Sequence, residues 1–327
     1  MVNKIKAVIL GHAVGDALGV PVEFCSREEL KENPVTGMQG FGSYSVPAGA
    51  WSDDTSMSLC ALESLTRGEI NYNDIMQNFG KWYYEDAFTP TGEMFDVGTT
   101  CSFAIHNYHK VGYGFRDCGL DEEKANGNGS LMRIHPFVLY AISKGYDKKQ
   151  LLEIVMKGSS LTHAHKRAII GCVIYAHVLN HLIDNPSKES IYNGVDVARQ
   201  QIELIMSKPL GGTMNDMTHL VEMTYYNNLF SHKIHTMEEE DIRSTGYVVD
   251  TLEAALWCLL TTDNYKDCVL KAVNLGDDTD TVAAVAGGLA GALYSYDAIP
   301  KEWLDTLIKR DYIEDMCERA SKSWSKE

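Results

Sequence analysis

Two short acidic stretches more than two hundred residues apart carry the strongest chemical signal in this chain. One is Gly276-Asp277-Asp278-Thr279-Asp280-Thr281, set directly before an apolar run, Val282 to Tyr294, that reads as a buried helix. The other is Trp51-Ser52-Asp53-Asp54-Thr55-Ser56-Met57, which repeats the design: a hydroxyl, two acids, then an apolar helix. A single Asp or Thr at a helix start is ordinary, because its side-chain oxygen accepts the free backbone N–H groups. Adjacent acids entering an apolar helix are not ordinary, since each unpaired charge is costly to bury. A hard cation removes the conflict, as Mg²⁺ and its relatives take carboxylate and hydroxyl oxygens. Two such clusters imply two helix starts that meet around metal, and four or five carboxylates favour two ions over one.

Other stretches could serve a ligand. Gly127-Asn128-Gly129-Ser130 precedes a helix expected to begin near Leu131. Glycines admit close backbone approach and a helix N-terminus favours an anion, although a plain Asn-Gly turn has the same spelling. Arg133 could meet a phosphate or a structural carboxylate. His177 and His181 stand at i, i+4, but no His-Glu-x-x-His pattern surrounds them, so they read as helix histidines rather than zinc ligands.

The elements that must position these residues are helical. Residues 4–19 carry Ile5, Val8, Ile9, Ala13 and Ala17 in a 3.6-residue rhythm. Gly11, Gly15 and Gly19 line one face, the mark of close helix packing, and Asp16 among them fits a supporting role behind the metal cluster. Helices are expected over 54–67, 73–86, 98–110, 132–144, 148–160, 165–184 and 188–207, then 246–262, 264–274, 279–296 and 302–323. Residues 33–50 read as a Gly- and Pro-containing loop that delivers Trp51. Period-2 alternation is almost absent, so the fold class is all-α: a single compact orthogonal multi-helix bundle with a binuclear metal site in a central cleft. Pro209 to Met217 is the best internal linker, yet the two acid clusters must meet across it, which keeps residues 1–327 as one domain.

Bulk composition narrows the partners. The chain has 327 residues, 29 basic and 45 acidic, for a net charge of −16. Without a Lys/Arg-rich run it lacks the clustered cations that hold a phosphate backbone, so no nucleic acid is expected. An anionic substrate would have to be welcomed locally, by metals or helix N-termini. Cys25, Cys60, Cys101, Cys118, Cys172, Cys258, Cys268 and Cys317 form no Cys-x-x-Cys pair and read as reduced core thiols. The N-terminus makes a poor signal peptide and the longest uncharged apolar stretch is too short for a bilayer. The expectation is a cytoplasmic protein with no membrane partner.

Four motifs in order give these features a family likeness. Gly15-Asp16-Ala17-Leu18-Gly19 with Glu23, then Trp51 to Thr55, then Gly127 to Arg133, then Asp278 to Thr281 resemble the ADP-ribosylglycohydrolase family, closest to its dinitrogenase reductase-activating branch. The likeness spans residues 5 to about 305. Two positions depart from it: Ser52 stands where the family usually has Thr, keeping the ligand oxygen, and Asp277 where it usually has Gly.

The resemblance implies a metal-dependent hydrolase that removes ADP-ribose from a modified side chain. It implies Ser52, Asp53, Asp54, Asp278, Asp280 and Thr281 as ligands of two divalent ions, Mg or Mn, and Glu23 as general acid/base. It places Asn128, Gly129, Ser130 and Met132 near the diphosphate, and His163 of Thr162-His163 at the edge of the nucleotide pocket. Tyr247 could stack on the adenine or merely pack. Phe95-Asp96-Val97-Gly98 resembles a loop that brings an aspartate to the active centre; the alternative is that Asp96 caps the following helix. An Asp96 at the centre favours N-linked ADP-ribosyl-arginine, whose guanidine departs well only if it stays protonated. The substrate would be an ADP-ribosylated protein or small molecule, and free ADP-ribose the product. An inactive ADP-ribose-binding or crystallin-like relative, or a metal-dependent nucleotide phosphohydrolase, stays open beside this reading.

Overall fold

A computed structural model describes residues 1–206 and 218–325. The linker expected at Pro209 to Met217 lies outside the described residues. Sixteen α-helices appear among them. The first six are α1 (Val2–Gly19), α2 (Arg27–Glu32), α3 (Asp53–Leu65), α4 (Tyr72–Glu85), α5 (Thr99–His106) and α6 (His135–Lys144). There follow α7 (Lys148–Ser160), α8 (Lys166–Asp184), α9 (Lys188–Met206), α10 (Thr218–Met223) and α11 (Asn227–Phe230). The last are α12 (Val248–Leu260), α13 (Tyr265–Val273), α14 (Thr279–Tyr294), α15 (Lys301–Thr306) and α16 (Arg310–Trp324). Extended pairing among the described residues is limited to two isolated bridges, Leu120 with His163 and Gly127 with Tyr247. The all-helical expectation holds.

The centre of the molecule is the pair α1 and α14, whose backbones touch. A Cβ on Gly19 would lie 2.3 Å from the Asp280 Cα, and one on Gly11 would lie 2.5 Å from the Gly287 carbonyl oxygen. Only glycine permits that approach. The small residues of α14, Ala283, Ala286, Gly287 and Gly291 among them, are buried on this seam. Residues Val2–Val22 are apolar and long enough to cross a bilayer, but 89% of their most apolar window is buried in the protein. The glycine stripe is thus a packing face that draws the end of α1 onto the start of α14.

Two expected helices are corrected. The segment 302–323 is two helices, interrupted at Leu307-Ile308-Lys309, where Lys309 takes a left-handed φ of 55°. The interruption has a job: Ile308 N–H donates to the Gly49 carbonyl at 3.0 Å, and its own carbonyl accepts the Trp51 indole N–H at 3.0 Å. It thereby fixes the loop that delivers Ser52. The helix expected from Leu131 begins at His135, after a 3₁₀ turn over Leu131–Arg133, because Pro136 is suited only to a helix's first turn. Helix α2 was not expected, although Ser26 and Glu29 spell a reciprocal capping box that the structure forms.

Candidate active site

The starts of α3 and α14 meet, and Asp16 on α1 sets the first of them. Its carboxylate accepts the Ser52 N–H at 2.9 Å, the Thr55 N–H at 3.0 Å and the Thr55 hydroxyl at 2.6 Å. Both oxygens therefore orient the helix start. The start of α14 is held by the Thr279 hydroxyl, which donates to the Gly19 carbonyl at 2.8 Å, and by the Asp278 N–H, which donates to the Ser244 carbonyl at 3.0 Å. The two starts then touch directly. The Ser52 hydroxyl donates to Asp54 Oδ2 at 3.0 Å and the Thr281 hydroxyl donates to the same oxygen at 3.3 Å.

Several carboxylate oxygens at this junction are left over. Asp54 Oδ1, Asp278 Oδ1 and Glu23 Oε2 are buried with no hydrogen-bond partner. Asp278 occupies the N-cap position of α14 yet makes no cap bond; its other oxygen takes the Asn128 amide at 2.9 Å. Ligand atoms of Asp16, Asp54 and Asp280 lie within 4.8 Å of one another, as do those of Glu23, Asp278 and Asp280. None of these acids forms an ion pair with a described basic residue. Burial first, and then the neighbouring carboxylates, push Asp53, Asp54 and Asp280 well above the usual carboxylate range. Buried, unpaired, mutually repelling oxygens on two facing helix starts are a donor set suited to hard divalent cations. Asp53 sits at the edge, its Oδ2 accepting the Gly98 N–H at 3.2 Å.

Glu23 and Asp96 face each other over this cluster. Burial, followed by the charge of Asp96, raises Glu23 to about 8 in the metal-free site. Asp96 does not cap α5, whose N-cap is Gly98 with no side-chain bond. It turns inward, and burial raises it as well. Tyr44, absent from the sequence reading, lies beside Glu23 and Asp96 and packs its ring 5.0 Å from that of Phe95. Nothing in the sequence around Tyr44 marks it, because only the folded path of residues 33–50 brings it there. Phe24 was missed too: next to Glu23, it stands 73% exposed at the rim with a left-handed φ of 69°. Its N–H donates to the Asp277 carbonyl at 2.8 Å. Asp277 itself has φ 60° and is exposed, which accounts for a position where glycine is usual.

A pocket of about 410 Å³ joins the acids to the glycine loop. Glu23, Asp53, Asp96, Asp278 and Thr281 line one end, and Gly127, Asn128, Gly129, Met132 and His163 the other. The loop is pinned by Asn128 N–H to the Gly246 carbonyl at 3.0 Å. A Cβ on Gly129 would lie 2.8 Å from Cys101 Sγ and 3.0 Å from His163 Cε1, so no side chain fits there. Ser130 points away, its hydroxyl accepting from Ser159 at 2.9 Å in the interior. Tyr247 lies beside the pocket wall, its hydroxyl accepting from Arg167 at 3.1 Å. Arg133 meets neither of its expected partners: fully buried, it donates to the Gly158 carbonyl and the Thr162 hydroxyl. His181 Nδ1 bonds the His177 carbonyl at 2.7 Å within α8, as for ordinary helix histidines.

Comparison with known proteins shows the family. Residues 1–327 match the ADP-ribosylglycohydrolase family throughout. An ADP-ribosylarginine hydrolase of Serratia proteamaculans is 33% identical over 321 residues, covering 97% of this chain and 78% of that protein. An ADP-ribosyl-(dinitrogen reductase) glycohydrolase of Rhodospirillum rubrum is 31% identical over 308 residues, covering 93% and 90%. A solved structure, described as an ADP-ribosylglycohydrolase-related protein complex, superimposes with a TM-score of 0.77 at 28% identity over 98% of both chains. With two acid-bearing helix starts joined over a glycine-lined pocket, and a match along its whole length, the chain belongs to the ADP-ribosylglycohydrolase family.

Proposed function

We propose that this glycohydrolase, one domain over residues 1–327, cleaves the bond between ADP-ribose and an arginine side chain at a two-metal centre of Mg or Mn. The observation that carries the reading is the set of buried oxygens without partners on Asp54, Asp278 and Glu23, at one end of a pocket whose other end is glycine backbone. Ser52, Asp53, Asp54, Asp278, Asp280 and Thr281 would hold the ions. Bound there, divalent ions supply orientation of ribose hydroxyls and a water made nucleophilic at neutral pH.

The chain's own residues do the rest. Asn128, Gly129 and Met132 form the wall that receives the diphosphate, with Ser130 holding the loop from behind and His163 and Tyr247 bordering the nucleotide. Glu23 carries a proton between the water and the leaving nitrogen. Asp96 faces the departing guanidinium and holds its proton in place, an electrostatic role that a serine-linked oxygen would not use. Relatives named as arginine hydrolases support that choice. They also favour catalysis over the binding-only or crystallin-like reading and over a phosphohydrolase. Eight free cysteines accord with a cytoplasmic setting.

The test is release of ADP-ribose from arginine-linked and serine-linked peptides, with and without Mg²⁺ or Mn²⁺. Metal-dependent cleavage of the arginine link, faster than the serine link, is expected. Cleavage that ignores chelator, or prefers serine, overturns the reading.

A further inference from the structure

Arg133 is a fully buried cation with no carboxylate partner among the described residues, only a few side chains behind the pocket. Removing a guanidinium from water is costly unless its donors are used. Two of them are: Nη1 donates to the Gly158 carbonyl at 3.1 Å and Nη2 to Thr162 Oγ1 at 2.7 Å. Its plane also sits over the Phe79 ring, 5.0 Å from the centroid. Arginine never accepts a hydrogen bond, so Thr162 Oγ1 is the acceptor in that contact. The threonine has one proton left to give, and His163 Nδ1 lies 2.8 Å from the same oxygen.

The tautomer of His163 turns on which atom donates in that contact. If Thr162 donates to Nδ1, then Nδ1 is the unprotonated nitrogen and the proton of a neutral imidazole sits on Nε2. That nitrogen faces the glycine loop: it lies 3.5 Å from where a Gly129 Cβ would be and 3.7 Å from the Gly127 equivalent. Burial, and then the charge of Arg133, hold His163 down to about 3, so the ring stays neutral across the working range.

We propose that Arg133, acting through Thr162, fixes His163 as its Nε2–H tautomer and so presents one neutral hydrogen-bond donor, beside the glycine backbone, to the diphosphate of the ligand. Arg133 and Thr162 are positioning residues; His163 is the group that touches. The proposal rests on the reading that this loop receives ADP-ribose.

The test uses the full chain with Mg²⁺, ¹⁵N-histidine labelling, and Thr162→Val, Thr162→Ser and Arg133→Met variants. In the parent, long-range ¹⁵N correlation should show His163 protonated at Nε2 only, assigned by loss of the signal in His163→Gln. Thr162→Val should give a mixed or reversed tautomer and weaken ADP-ribose binding tenfold to a hundredfold, the scale of one bond to a charged group. Thr162→Ser should restore both. Adenosine, which lacks the diphosphate, should bind parent and Thr162→Val alike. A parent protonated at Nδ1, or a Thr162→Val that binds ADP-ribose as the parent does, overturns the proposal. If Arg133→Met does not fold, the Thr162 pair decides the matter alone. A parent that binds no ADP-ribose overturns the functional reading as well, so the two failures are distinguishable.

Discussion

The Thr281 hydroxyl donates to Asp54 Oδ2 across 3.3 Å, joining residues 227 positions apart in the chain. That contact ties the start of α14 to the start of α3. Asp54 and Asp280 should therefore bind metal as a unit. Asp54→Asn and Asp280→Asn are each expected to weaken both ions, by at least the 10–100-fold typical of losing a supporting partner. Calorimetric titration with Mn²⁺ reads this out, while circular dichroism should stay helical. Full stoichiometry and affinity in both variants would sink the shared site.

Asp16 accepts three hydrogen bonds from the start of α3. Asp16→Asn replaces one accepting oxygen with a donor and leaves a buried N–H or hydroxyl unpaired, at a cost of about 1–3 kcal/mol. Thermal unfolding should fall accordingly, and Mn²⁺ affinity should drop about 10–100-fold. Loss of stability with unchanged metal affinity would show that Asp16 only braces the fold.

Gly129 has no room for a side chain. Gly129→Val should displace Cys101 or His163 and abolish ADP-ribose binding at concentrations that saturate the parent, with Mn²⁺ binding retained. Undiminished product inhibition by ADP-ribose would mean that the loop is only a turn.

Chelator-treated protein should have an inverted pH profile. Asp53, Asp54, Asp280 and Glu23 are all raised by burial and by one another, Glu23 to about 8. A carboxyl with a folded pKa above its unfolded value of about 4 holds its proton more tightly in the native state. Its contribution is complete below the unfolded value and is lost as pH climbs towards the folded one. The metal-free protein should thus unfold at progressively lower temperature from about pH 5 to about pH 8, and Mg²⁺ should flatten the trend by supplying the missing charge. A metal-free profile that rises over this window would contradict the assignment.

Asp96 should matter for one leaving group more than another. Asp96→Asn is expected to slow arginine-link cleavage by about 10²-fold, the scale for losing one preorganised electrostatic group, with little change in Mn²⁺ affinity. An equal effect on a serine link would assign Asp96 to the metals instead.

What could be read from the chain beforehand depended on whether the signal was local. Ser52-Asp53-Asp54 and Asp278-Thr279-Asp280 were legible because acids entering an apolar helix conflict with burial wherever they occur. Gly11, Gly15 and Gly19 were legible as a face because helical periodicity is local too. Tyr44 was not, since its place between Glu23 and Asp96 depends on residues 33–50 folding back over Pro21, where Ser43 N–H donates to the Pro21 carbonyl at 2.8 Å. The break at Lys309 was hidden for a like reason: its purpose lies in Gly49 and Trp51, far away in sequence. Arg133 shows the limit most plainly, because a cation beside a phosphate-type loop is spelled the same whether it reaches the ligand or stands behind it.

The seam between α1 and α14 also sets a schedule. Helix α1 leaves the ribosome with an apolar face shaped for a helix that emerges some 260 residues later. At about 5–20 residues per second, α1 would wait on the order of 10–60 s for its partner. During that interval the acids at the start of α3 wait for those at the start of α14, and a hydrophobic face lies open to wrong partners, so the nascent chain is in need of shelter until α14 is made.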